Sequence, residues 1–135
     1  GVELMIGAVL ALSVGLSATS IGLDRDRAFY PTVMAVIASY YALFAVMGGS
    51  IQVLVTELIV IAAFLGASIA GFKRSLWLVV AALAAHGVFD LVHGHLIANA
   101  GVPRWWPSFC LAYDVVAAVY LGWLLARSKV HAAAS

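Results

Sequence analysis

Five side chains that can carry charge stand inside long apolar stretches of this chain: Glu57, His86, Asp90, His93 and Asp114. An ionised group near the middle of a bilayer costs about 2.5–3.5 kcal/mol, so three unpaired carboxylates together cost roughly 8–10 kcal/mol. Whole-protein stabilities are only about 5–15 kcal/mol. These acids must therefore be paired, protonated or bound to a metal.

Their spacing narrows the chemistry. His86, Asp90 and His93 fall at i, i+4 and i+7. At the helical repeat this is an arc of about 60°, so the three share one face. His95 points about 180° from His86 and is expected at the interface. His86 and His93 stand about 10.5 Å apart along the axis, too far to share one ion directly. The expected mononuclear set is His93, Asp90, Asp114 and Glu57, with His86 behind it or in a second metal position. Glu57 and Asp114 are also the candidate catalytic acids. Imidazoles with carboxylates suit Zn²⁺ or non-haem iron, with copper the weaker candidate. Such a metal could activate water or O₂ against a hydrophobic small molecule or lipid. Two other readings fit the same residues. One is a proton or ion relay for transport, since buried acids and imidazoles serve that role in membranes. The other is a structural or anchor subunit of a larger complex, in which polar pairs lock helices together. Haem ligation by His86 or His93 is a minor variant of the last.

The elements that must position these groups follow from composition. Hydrophobic residues make up 65% of the 135 residues and charged residues 10%, and mean hydropathy is +1.10. Soluble domains carry about 25% charge, so an integral membrane protein is expected. A spanning helix needs about 20 apolar residues. Five such runs are present, at about 2–23, 28–47, 51–71, 76–99 and 108–126. The expected fold is thus all-α, a single domain of five transmembrane helices. The runs lack the strict alternation of a lipid-facing barrel strand. Asp26, Ser50 and Ser75 stand where N-caps belong. Asn99 and Gly101 followed by Pro103 resemble a helix stop, and Pro107 suits a first turn. The run at 2–23 reads as a span rather than a signal peptide, because no basic residues precede it. The tail from Ser128 to Ser135 is expected to fray.

Charge sets the orientation. Arg25, Arg27, Lys73, Arg74, Arg127 and Lys129 share one side of a five-span arrangement, and Arg104 is alone on the other. The positive-inside rule places the N-terminus outside and the C-terminus in the cytoplasm, in a plasma (bacterial inner) membrane. Trp77 and Trp123 then mark the inner boundary, Trp105 and Trp106 the outer. Counted from the outer ends, Glu57, His93 and Asp114 lie about 9 Å deep, Asp90 about 13 Å and His86 about 20 Å.

Small residues four apart suggest helix–helix seams at Gly7, Ala11 and Gly15, at Ala62, Gly66 and Ala70, and at Ala118, Gly122 and Ala126. A homo-oligomer or larger membrane complex is expected from so thin a bundle. Tyr40 and Tyr41 are within reach of the cluster, and Cys110 is read as a packing residue. Glu3 is placed at the outer boundary. A net charge of +1 with scattered cations gives no nucleic-acid surface. No nucleotide-binding motif is present, and no span contains a lysine for a retinal Schiff base. The segment from His86 to His95 is similar in style to a histidine box of membrane desaturases and hydroxylases; those enzymes carry several boxes and this chain has one. Orientation has a direct test. A cysteine at position 104 is expected to react with an impermeant thiol reagent from outside the cell, and one at position 73 only after permeabilisation.

Overall fold

A computed structural model of the chain describes residues 1–134. The described residues form five helices long and apolar enough to cross a membrane: α1 (Val2–Ile21), α2 (Phe29–Met47), α3 (Ile51–Lys73), α4 (Trp77–Leu96) and α5 (Trp106–Ala126). A single 3₁₀ turn, Leu23–Arg25, joins α1 to α2. Ser50 caps α3 by accepting from the Val53 N–H. Asp26 accepts from the Ala28 N–H just ahead of α2, and the Ser75 hydroxyl accepts from the Trp77 N–H at the start of α4. Pro107 sits in the first turn of α5, where its missing N–H leaves no bond unmade.

The packing order is α1–α5–α4–α3–α2, and α2 also touches α4. Consecutive helices α1 and α2 do not pack along each other. The first seam is Gly7, Ala11 and Gly15, all buried on the α5 side. A Cβ at Gly7 would collide with the Phe109 carbonyl oxygen, so only glycine lets the two backbones approach this closely. The predicted seam on α3 is not one within this chain. Ala62 and Gly66 are exposed, and nothing approaches a Cβ built at Gly66. The reason is that α3 turns a different face inward, the one carrying Glu57, Ser68 and Gly71. On α5, Ala118 is buried, Gly122 half-buried and Ala126 exposed.

Two further expectations are corrected. The fourth helix ends at Leu96 rather than near residue 99, because Ile97 turns to extended backbone and frees Asn99 to face inward. The tail through Ala134 is docked rather than frayed. Val130 is buried, the Leu76 N–H donates to the Ala132 carbonyl, and Ser75 and Ala133 form an isolated antiparallel bridge. Arg27 holds this base together: its guanidinium donates to the carbonyls of Phe72, His131 and Ala132. Arg25, Arg27, Lys73, Arg74, Arg127 and Lys129 therefore gather at one end of the bundle. At the other end Trp105 is exposed, whereas Trp106, predicted to be interfacial, is buried against Tyr40 and Phe44.

The glycine seam predicts a contrast. Gly7→Val is expected to lower stability by about 1–3 kcal/mol, as overpacking does, while Gly66→Val leaves it unchanged. Thermal unfolding of the purified variants in one detergent measures both.

Candidate metal centre

All five ionisable groups predicted from spacing are buried: Glu57 and Asp114 are fully enclosed, and His86, Asp90 and His93 nearly so. His95 is exposed, as expected. On α4, His86, Asp90 and His93 share the face turned to the bundle. The helices α3, α5 and α2 each bring a partner to that face, and the result is two adjoining groups rather than one.

The first group is His86, Asp90, Cys110 and Asp114. His86 Nδ1–H donates to Asp114 Oδ2 at 2.7 Å. The same nitrogen lies 3.4 Å from Asp90 Oδ2. Cys110, one turn before Asp114 on α5, donates its thiol hydrogen to Asp114 Oδ2 at 3.6 Å. One donor atom from each of the four residues lies within 4.8 Å of the others, and all four residues are buried. The second group is His93 with Glu57, where Nε2–H donates to Oε2 at 2.7 Å. Asn99 donates its amide to the same oxygen at 2.7 Å and to the Tyr41 carbonyl at 3.2 Å.

Tyr41 joins the groups. Its ring stacks on His93 with centroids 3.9 Å apart and an angle of 16°. Its hydroxyl donates to Asp90 Oδ1 at 2.6 Å. The loop after α4 keeps Asn99 in place, because Asn99 Oδ1 accepts from the Gly101 N–H at 3.1 Å. Gly101 lies against the Phe44 carbonyl, where any Cβ would overlap it. Glycine is therefore needed for the loop to seat on the end of α2.

The predicted set of Glu57, Asp90, His93 and Asp114 is thus divided between the groups. His86, placed behind that set by its depth, stands instead at the centre of the first group, and Cys110 joins it. Depth along each axis did not supply the lateral register between helices, which decides which groups touch. Cys110 carried a usable signal: its i, i+4 spacing to Asp114 repeats that of His86 to Asp90. Asn99 carried none beyond being a polar residue near a span end. Tyr40 does not enter the cluster; it packs against Trp106.

Several oxygens in these groups lack hydrogen-bond partners among the described residues: Asp90 Oδ2, Asp114 Oδ1 and Glu57 Oε1, all buried. A buried acceptor with nothing to accept costs about 1–3 kcal/mol, more if charged. Two of the three belong to residues of the first group, whose donor set of nitrogen, sulfur and oxygen fits a borderline-soft divalent ion. The group can therefore hold a cation, either a metal ion or protons shared between its acids. The chain matches no family profile, no curated protein and no solved structure.

Removing the Tyr41 hydroxyl leaves Asp90 Oδ1 without its donor. Tyr41→Phe is expected to destabilise the protein by about 1–3 kcal/mol, and Tyr40→Phe to leave stability unchanged. Unfolding curves of the two variants in matched detergent provide the comparison.

Proposed function

We propose that this chain is a membrane metalloprotein in which His86, Asp90, Cys110 and Asp114 bind a Zn²⁺ ion, with ferrous iron the alternative metal, and act on a hydrophobic or lipid substrate. The observation that carries the reading is the convergence of four buried donors within 4.8 Å, two of whose acids retain unpartnered oxygens. A thiol among the donors favours zinc over magnesium or calcium, which take oxygen ligands. If one of the four donors yields its place to a substrate oxygen, the ion would supply Lewis-acid polarisation of a carbonyl or phosphoryl group.

The chain's own residues do the rest. Asp90 is held in one orientation by the Tyr41 hydroxyl. His86 is fixed against Asp114, and the ring of Phe64 covers it edge-on at 4.7 Å. A groove of about 680 Å³ between α1, α2 and α5 points to the substrate class. Val33, Ile37, Tyr40, Trp106 and Phe109 line it, and Cys110 forms part of its wall. Cys110 thus stands between the groove and the ion's other three ligands. An apolar molecule seated in the groove would lie against Cys110, the one member of the cluster that borders it.

A second reading is favoured by a different observation. Asp90, His86, Asp114 and Cys110 form a continuous polar line with Tyr41, and His93, Glu57 and Asn99 form another beside it. Such lines suit a proton relay. Towards the cationic end, however, the core continues through the fully buried apolar side chains of Met34, Leu83 and Leu121. A relay through the bundle would have to pass them, so the metal reading is preferred.

Elemental analysis of the purified protein separates the two. Near-stoichiometric zinc or iron is expected, lost in His86→Ala and Asp114→Asn but kept in His93→Ala. Tyr41→Phe is expected to weaken metal binding by about 10–100-fold, as loss of a ligand's supporting hydrogen bond does. Metal-free protein with pH-driven proton flux in liposomes would replace the metal reading with the relay.

A further inference from the structure

At the opposite end of α5 from the cluster, a second cavity is built from charged residues. It has a volume of about 360 Å³ and is lined by Asp24, Arg25, Arg127 and Lys129 together with Thr19, Leu124 and Ser128. Arg127 lies about 20 Å along the α5 axis from Asp114, at 1.5 Å per residue. The cavity therefore stands whether or not the cluster holds a metal.

Its charge is unbalanced. Among the described residues, the ion-pair contacts all lie in the buried histidine cluster, and no carboxylate pairs with Arg25, Arg127 or Lys129. Asp24, the one acid in the wall, is 3% exposed. Its Oδ2 already accepts from the Thr19 hydroxyl, which in turn contacts the Tyr120 hydroxyl. The local backbone turns the cations onto the cavity. Ser128 takes a left-handed φ of 55°, the one positive φ outside glycine among the described residues. This reverses the chain at the end of α5, so that Arg127 and Lys129 both line the same space. Lys129 is steadied over the Trp123 ring, 5.9 Å from its centroid.

Cations at the end of a helix also complement its dipole. That role needs no cavity and no convergence of residues from two separate turns, one after α1 and one after α5. We propose that this cavity binds a phosphate group, with Arg25, Arg127 and Lys129 as its ligands. It opens at the end of the bundle where six of the seven cations gather, which is where basic pockets between spans take the headgroups of anionic phospholipids. Phosphate chemistry is common to a phospholipid headgroup and to a small soluble phosphate, and the two differ in the test.

The full chain is reconstituted in nanodiscs of phosphatidylcholine alone or with phosphatidylglycerol added, and thermal unfolding is followed. Phosphatidylglycerol is expected to raise the midpoint. The increment should vanish in Arg25→Gln/Arg127→Gln/Lys129→Gln and persist in Lys73→Gln/Arg74→Gln, which removes charge at the same end but outside the cavity. In detergent, glycerol 3-phosphate at millimolar concentration gives the second arm. Stabilisation there, lost in the triple variant, identifies a soluble phosphate as ligand; stabilisation only in the nanodiscs identifies the lipid. If the two sets of substitutions reduce the increment equally, or no phosphate source stabilises the wild type, the proposal is wrong. Should the triple variant fail to fold, native mass spectrometry of Arg127→Gln decides. Retained phosphatidylglycerol is expected to fall about fivefold, the effect of one cation at a membrane surface, and unchanged retention overturns the site.

Discussion

Polar groups enclosed in an apolar bundle must find each other, and this requirement organises the molecule. A hydrophobic driving force cannot hold helices together where lipid is as apolar as leucine. Close backbone approach and buried polar bonds remain. The bundle uses each in a different place. The α1–α5 contact rests on Gly7, Ala11 and Gly15. The middle of the bundle rests on the acids and imidazoles carried by α3, α4 and α5, with Tyr41 of α2 bonded to Asp90 and stacked on His93.

Helix α3 shows how strongly a single buried carboxylate can place an element. It buries only Glu57, Ser68 and Gly71. Most of its remaining side chains face outward, so apolar packing gives it little rotational preference. Glu57 is fully enclosed and accepts from both His93 and Asn99. Rotating α3 would carry that carboxylate into lipid, at about 2.5–3.5 kcal/mol or more. The polar pair therefore sets the helix's facing, whatever chemistry the neighbouring group performs.

Length and hydropathy were enough to place the five helices, because spans and breaks differ sharply in composition. The helical repeat was enough to put His86, Asp90 and His93 on one buried face. What each would touch was not legible. Partner choice depends on how neighbouring helices slide and rotate, and His86 meets Asp114 while His93 meets Glu57. Cys110 looked like filler because a thiol in a span is usually packing. Asn99 looked like a helix stop, but the helix ends three residues earlier at Leu96, and the Asn99 amide completes the Glu57 pair instead. Asp24 sits in the short charged break between the first two spans, and Thr19 and the turn after α1 bury it. The tail's composition resembles a loose end. Its order comes from backbone carbonyls, which sequence does not distinguish from one residue to the next.

The Arg27 clasp has a bearing on how the protein is made. Its guanidinium waits for the carbonyl of Ala132, 105 positions further along the chain. During synthesis that arginine enters the membrane boundary long before this partner exists, and water or lipid phosphate must satisfy it in the interval. The base of the bundle can shut only after α5 has been inserted and the chain beyond it has folded back. Membrane insertion and closure are thus separate events in time, and a chain interrupted between them would possess its spans but not its floor.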